Sequence, residues 1–132
     1  MEIELWRIYM EENLKQLLFK DLCARLPYGV IVEYKSQESK GDVELGPGNI
    51  GYILQLGHGW WKECKPYLRP MSSMTDEESK EFALLQTDFY VDGFLYPIAA
   101  INMVNWLNAH HFDFRNLIER GLAIDCTNLN IY

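Results

Sequence analysis

Long apolar runs, basic clusters and paired metal-binding residues are all missing from this sequence, and each absence removes a class of function. No stretch approaches the ~18 to 20 apolar residues that span a bilayer, so no membrane insertion is expected. Lysine and arginine number 12 against 19 acidic residues, for a formal charge of −7, and they are scattered singly. A surface of that sign repels phosphate backbones and anionic lipid headgroups, so no direct nucleic-acid binding is expected. Only three cysteines occur, Cys23, Cys64 and Cys126. They are too few and too far apart for a disulfide scaffold, one would be left over, and they fit a reducing compartment. The opening "MEIELWRIYMEEN" has no basic region leading into an apolar run, so no secretory leader is expected. Together these point to a cytoplasmic protein.

Chemical motifs are scarce as well. There is no C-x-x-C or H-x-x-x-H pair of the kind that holds zinc, and no metal is expected. His110 and His111 are adjacent, so on a helix they point about 100° apart. They suit the last carbonyls of a helix better than a shared ion. The glycine-rich "GDVELGPGNIG" lacks the lysine and hydroxyl of a phosphate loop, and no cofactor is expected. A serine triad has no G-x-S-x-G anchor, and Ser72 and Ser73 sit in a proline-flanked loop. Carboxylates at Asp76, Glu77 and Glu78 have a sufficient role at a helix start.

Large rings and aliphatics are what the chain does have. Hydrophobic residues make up 48% and aromatics 14% of 132 residues, enough for the core of one domain, residues 1–132. Leu14, Leu17, Leu18, Leu22 and Leu26 follow the offsets of one helical face, and Pro27 stops that helix. Whether Glu2 to Met10 continue it, or Trp6 and Tyr9 pack as a separate turn, is left open by the pattern. "VIVEY" from Val30 reads as a strand. "SQESKGDVELGPGN" reads as a loop, or two loops about a short edge strand near Val43 and Leu45. "IGYILQL", Ile50 to Leu56, reads as a second strand, reversed by Gly57, His58 and Gly59 into "WWKE".

"CKPYLRPMSSM" has prolines at 66 and 70, which predict an extended connector outside any regular ladder. Thr75 and Glu78 are spaced as a capping box opening a helix with Phe82, Leu85 and Gln86 on its inner side. Asp92-Gly93 between aromatic runs is a hairpin signal. Positions 98, 101, 104 and 107 define a broad apolar helical face, flanked by Met103 and Trp106. "DFRNLIERG" predicts a last short helix capped by Asp113 and closed by Gly121. "LAIDCTNLNIY" predicts a final extended segment.

The densest candidate region is "LGHGWWKECKPYL". Cys64 with His58 is the nearest approach to a nucleophile and base, yet no pattern fixes them together, and free cysteine is usually buried. Trp60 and Trp61, if on a strand, point to opposite faces. One then enters the core, and the other is covered by a second layer or left as a contact residue.

Three stretches, "KDLCARLPYGV" (20–30), "ECKPYLRPMSSMT" (63–75) and "WLNAHHFDFRNLIERGLAI" (106–124), resemble a family of uncharacterised small proteins from Bacteroides-group gut bacteria and their phages and prophages. Residues 34–61 and the N-terminal dozen lie outside that resemblance. It implies a context, a small accessory protein of a phage or mobile element, and brings no catalytic residues with it.

The fold expected is α+β: an N-terminal helix, a small, mostly antiparallel sheet with partial-barrel closure left open, and helices concentrated in the C-terminal half. The function expected is non-catalytic protein interaction, with an unidentified protein partner or by self-association, and His58, Trp60 and Trp61 are the candidate contact residues. Two rivals stand beside it. One is an acidic mimic of nucleic acid that inhibits a host defence or DNA-binding protein, which needs the charge gathered on one face. The other is a small cysteine- or histidine-dependent enzyme, which needs Cys64 and His58 together at a pocket.

Overall fold

A computed structural model describes residues 2–35, 40–51, 60–87, 90–91, 94–95 and 97–132. The leucine period does specify a helix, and it runs further than that period reaches: α1 spans Glu2–Arg25. Leu18 and Leu22 are buried, along with Asp21 and Arg25 on the same side. Pro27 ends α1 in a 3-10 turn, Leu26–Tyr28, and Gly29 follows with φ 72°. That left-handed conformation is the reason this turn takes glycine.

The sheet is open and mostly antiparallel. Strand β1 (Ile31–Lys35) pairs antiparallel with β2 (Lys40–Glu44) and with β3 (Cys64–Pro70). β2 is the edge strand hinted at in the loop, and its Lys40, Gly41, Asp42 and Glu44 are solvent-facing, as an edge requires. Two short late strands pair with β3 in parallel, β6 (Phe112–Asp113) and β7 (Ile124–Asp125). Helix α2 (Asp76–Thr87), the small antiparallel hairpin β4 (Tyr90–Val91) with β5 (Phe94–Leu95), and helix α3 (Pro97–Ala109) lie between β3 and β6.

The proline-bearing connector is therefore wrong: residues 64–70 form the central strand. The Leu45 N–H donates to the Val30 carbonyl, which turns Val30, and by alternation Val32, toward β2. Val32 opposes Pro66 in the register with β1. That pair is thus a non-hydrogen-bonded one, where a missing N–H costs nothing to the β1 ladder. Pro70 closes the strand.

Other expectations shift in detail. Thr75 and Glu78 do form the capping box, with Thr75 N–H on the Glu78 carboxylate at 3.0 Å and Glu78 N–H on the Thr75 hydroxyl at 3.1 Å. Phe82 and Leu85 are half-buried, whereas Gln86 is exposed. In α3 only Leu107 of the predicted face is buried, while Ile98, Ile101 and Val104 face solvent. The ring of Trp106 sets the rotation of that helix: it stacks between Phe82 at 5.3 Å and Phe112 at 5.7 Å. The last short helix is replaced by turns, because Asn116 takes φ 59° and breaks it at its start. Asp113 still caps the turn through the Leu117 and Ile118 N–H groups, and Gly121 closes it at φ 75°. Ile50 and Gly51 are helical; the remainder of the strand expected at Ile50 to Leu56, the reversal at 57–59 and the Asp92-Gly93 turn lie outside the described residues. The strands on either side of 92–93 pair as that turn requires.

The core joins α1 to the sheet through Leu18, Leu22, Val30, Val32, Leu68 and Leu117. A buried charge network ties α1 to the late strands. Arg25 grips Asp21 at 2.8 and 3.1 Å and donates to the Phe112 carbonyl at 2.6 Å, while Arg115 reaches the same Asp21 at 2.7 Å. Arg25 and Asp21 are fully buried, so each charge depends on the other, and removing one partner would leave the remaining charge uncompensated.

Candidate functional site

Of the three predicted contact residues, Trp61 lies in the core, 6% exposed, on a 3-10 turn, Trp60–Glu63. His58 and the side chain of Trp60 lie outside the described residues. Cys64, the thiol of the enzymatic rival, is fully enclosed at the start of β3, and burial pushes its pKa up to about 12. A nucleophilic thiol needs the opposite shift.

Among the described residues a cleft of about 390 Å³ is lined by Arg69, Ser73, His110, His111, Cys126 and Tyr132 among others. It opens where α3 ends and the chain turns into β6. The turn is made by His111, which takes φ 62°, a conformation favoured by glycine or asparagine. Its ring compensates by stacking on Tyr132, centroids 3.5 Å apart and planes 8° from parallel. Burial lowers the His111 pKa to about 4, helped by the positive charges of Arg25, His110 and Arg69. The ring is therefore neutral near pH 7, and its buried Nδ1 has no partner among the described residues. His110 meets the role expected of it: its Nδ1–H donates to the Trp106 carbonyl at 2.9 Å.

The other groups are equally quiet. Burial and the Asp125 carboxylate push the Cys126 thiol up. Arg69 has both terminal nitrogens on Glu78, at 2.8 and 2.7 Å, and lies 4.2 Å from the centre of the Phe112 ring. Its charge is already matched, so it is poorly placed to clamp a phosphate. Ser73 donates to the Pro70 carbonyl at 2.7 Å. A neutral thiol, a neutral imidazole and a neutralised guanidinium offer hydrogen bonds and van der Waals contact. They provide no activated nucleophile.

The larger departure from a self-contained domain is on the surface. The first half of α1 exposes Ile3 (84%), Leu5, Trp6 (63%), Ile8, Tyr9 and Met10. In the second half one strip of the helix, Leu14, Leu18, Leu22 and Arg25, enters or borders the core. Continued toward the N-terminus at the same 3–4 spacing, that strip carries Glu4, Arg7 and Glu11. Glu11 accepts a hydrogen bond from Lys62 of the body at 3.0 Å. N-terminal to Glu11 the helix leaves the body, and residues 2–10, apolar and charged alike, are exposed. So many large apolar groups exposed within two turns normally mark a contact surface. The 3-6-10 spacing of Ile3, Trp6 and Met10 is the signal in the sequence that could have revealed this. The leucine pattern alone did not carry it.

Among the described residues no helix is long and apolar enough to cross a membrane. Compared with protein families, with curated proteins and with solved structures, the chain matches none of them.

Proposed function

We propose that this chain is a non-catalytic interaction protein that engages a protein surface through the exposed half of α1. One observation carries the reading: six large apolar side chains between Ile3 and Met10 stand in solvent within two turns of one helix. Exposed aromatic and aliphatic groups gathered in one place are the usual anchors of protein contacts. The outer face of α3, with Ile98, Ile101 and Val104, adds a second apolar surface to the same molecule. The resemblance to proteins of gut-bacterial phages and prophages suits an accessory role of this kind.

The test is capture of host proteins by the wild-type chain and by a Leu5→Glu/Trp6→Glu/Ile8→Glu variant. The substituted positions lie far from the core, so the thermal unfolding midpoint is expected to stay within a few degrees. The variant is expected to lose the proteins that the wild type retains. An identical captured set from both would refute the reading.

A further inference from the structure

We infer that the exposed first turns of α1 in one copy of this chain seat in an apolar hollow on the outer face of α3 in a second copy, so that copies associate head to tail. The inference rests on the interaction reading above and names one partner for it.

The molecule carries both halves of such a contact. Leu5, Trp6 and Tyr9 share one side of α1 and are exposed, with Trp6 the largest of them. On α3, Ile98, Ile101 and Asn105 run along the outer side at 3–4 spacing, all solvent-facing, with Val104 beside them. A hollow of about 360 Å³ lies there, lined by Ala100, Ile101, Val104 and Asn105. A bulky ring on one surface thus has an apolar recess to fill on the other.

Charge selects this pairing over one arm laid against another. Between Glu2 and Glu12 the helix carries four carboxylates and a single arginine, Arg7. Two such arms side by side bring like charges together, which is costly. From Pro97 to Ala109, by contrast, α3 has no charged residue, so it receives the acidic arm without repulsion.

Both surfaces are reachable. Continued along α1 at helical spacing, the side of Leu5 and Tyr9 carries Glu12, Asn13, Gln16, Lys20 and Cys23, all exposed. The copy's own body is held on the other side, through Leu18 and Leu22, and does not stand over this one. Leu5, Trp6 and Tyr9 against Ile98, Ile101 and Val104 bury roughly 400 Å² per copy, or about 800 Å² in all. Stable complexes bury ~1,200 Å² or more, so the association is weak and concentration-dependent. The two copies use different surfaces, so a pair keeps one arm and one hollow unused, and growth continues past the dimer or closes into a ring.

Sedimentation of the full chain across a concentration series tests the contact. Trp6→Glu disables the arm, and Ile101→Glu or Val104→Glu disables the hollow. All three positions are exposed, so thermal unfolding of each variant is expected to match the wild type. The wild type should gain mass reversibly with concentration, and each variant alone should stay monomeric. An equimolar mixture of Trp6→Glu with Ile101→Glu should form a one-to-one dimer that grows no further, because one partner supplies an intact arm and the other an intact hollow. A wild type that is monomeric at every concentration overturns the inference. So does association that survives either hollow variant, or a mixture that stays monomeric. The broader interaction reading survives a monomeric wild type if the triple variant still loses its captured proteins. Both fall together if it does not.

Discussion

Arg69 and Glu78 meet in a two-point ion pair, and the same carboxylate also accepts the Thr75 N–H that opens α2. One side chain therefore joins the central strand to the start of a helix. The guanidinium beside it, with help from Thr75, lowers the Glu78 pKa to about 2 from an ordinary 4.5. Native Glu78 resists the proton that the unfolded chain accepts, so its contribution is complete above about pH 4.5 and is lost as pH falls toward 2. Glu78→Gln is expected to cost about 2 to 3 kcal/mol at neutral pH. It should also flatten the acid limb of the stability curve, as urea unfolding at a series of pH values would show. An unchanged limb would mean that another carboxylate dominates.

His111 supplies a separate acid sensitivity at higher pH. Its pKa in the folded chain is about 4, against 6.5 when free. Between those values the unfolded state takes up the proton and the native state does not, so stability declines as pH drops from 6.5 to 4. His111→Asn keeps a residue that tolerates the left-handed turn and removes the titrating ring. Stability measured between pH 4 and 6.5 should become less pH-dependent in that variant, while the Glu78 loss at lower pH remains.

The Tyr132 hydroxyl accepts the Ile31 N–H at 2.9 Å and donates to the Tyr67 carbonyl at 2.9 Å. It bridges β1 and β3 one step beyond the last direct pair between them, Val32 with Pro66. Tyr132→Phe should remove about 2 kcal/mol, from two hydrogen bonds of roughly 1 kcal/mol each. The Ile31 amide should then exchange with deuterium much faster, relative to its protection in the wild type. Equal protection would show that water takes over the bridge without loss.

Thiol chemistry should separate the three cysteines. Cys23 is exposed, whereas Cys64 and Cys126 are buried with thiols pushed up. Native protein should alkylate quickly at Cys23 alone, and mass spectrometry of peptides would locate the label. Fast labelling at Cys64 would contradict its enclosure and reopen the nucleophile question.

The sequence was most readable where a signal is local. The leucine period, the Thr75–Glu78 spacing and the residues flanking Asp92-Gly93 each specify an element from within a few positions. β3 was hidden because Pro66 is tolerated only through a register with Val32, thirty-four positions earlier, and no local pattern displays that. The turn at Asn116 looked helical because Asp113 and Gly121 are sound caps; the left-handed Asn116 between them is a single backbone angle. The exposed stripe of α1 was legible as spacing, yet an apolar period does not say whether it faces its own core or another molecule. Trp61 shows the reverse. Its neighbourhood suggested a contact residue, and the structure places it among Leu18, Val32 and Leu68 in the core cluster.

The parallel pairing of β3 has a consequence for synthesis. β1 can pair with β2 on one side and β3 on the other as soon as all three clear the ribosome, but the two parallel partners of β3 arrive later. Roughly forty residues must follow Arg69 before Phe112 can reach it. During that interval unpaired backbone on β3 is open to neighbouring nascent chains. Slower delivery of residues 70–125 should therefore lengthen the time for which the far edge of β3 stays open to aggregation.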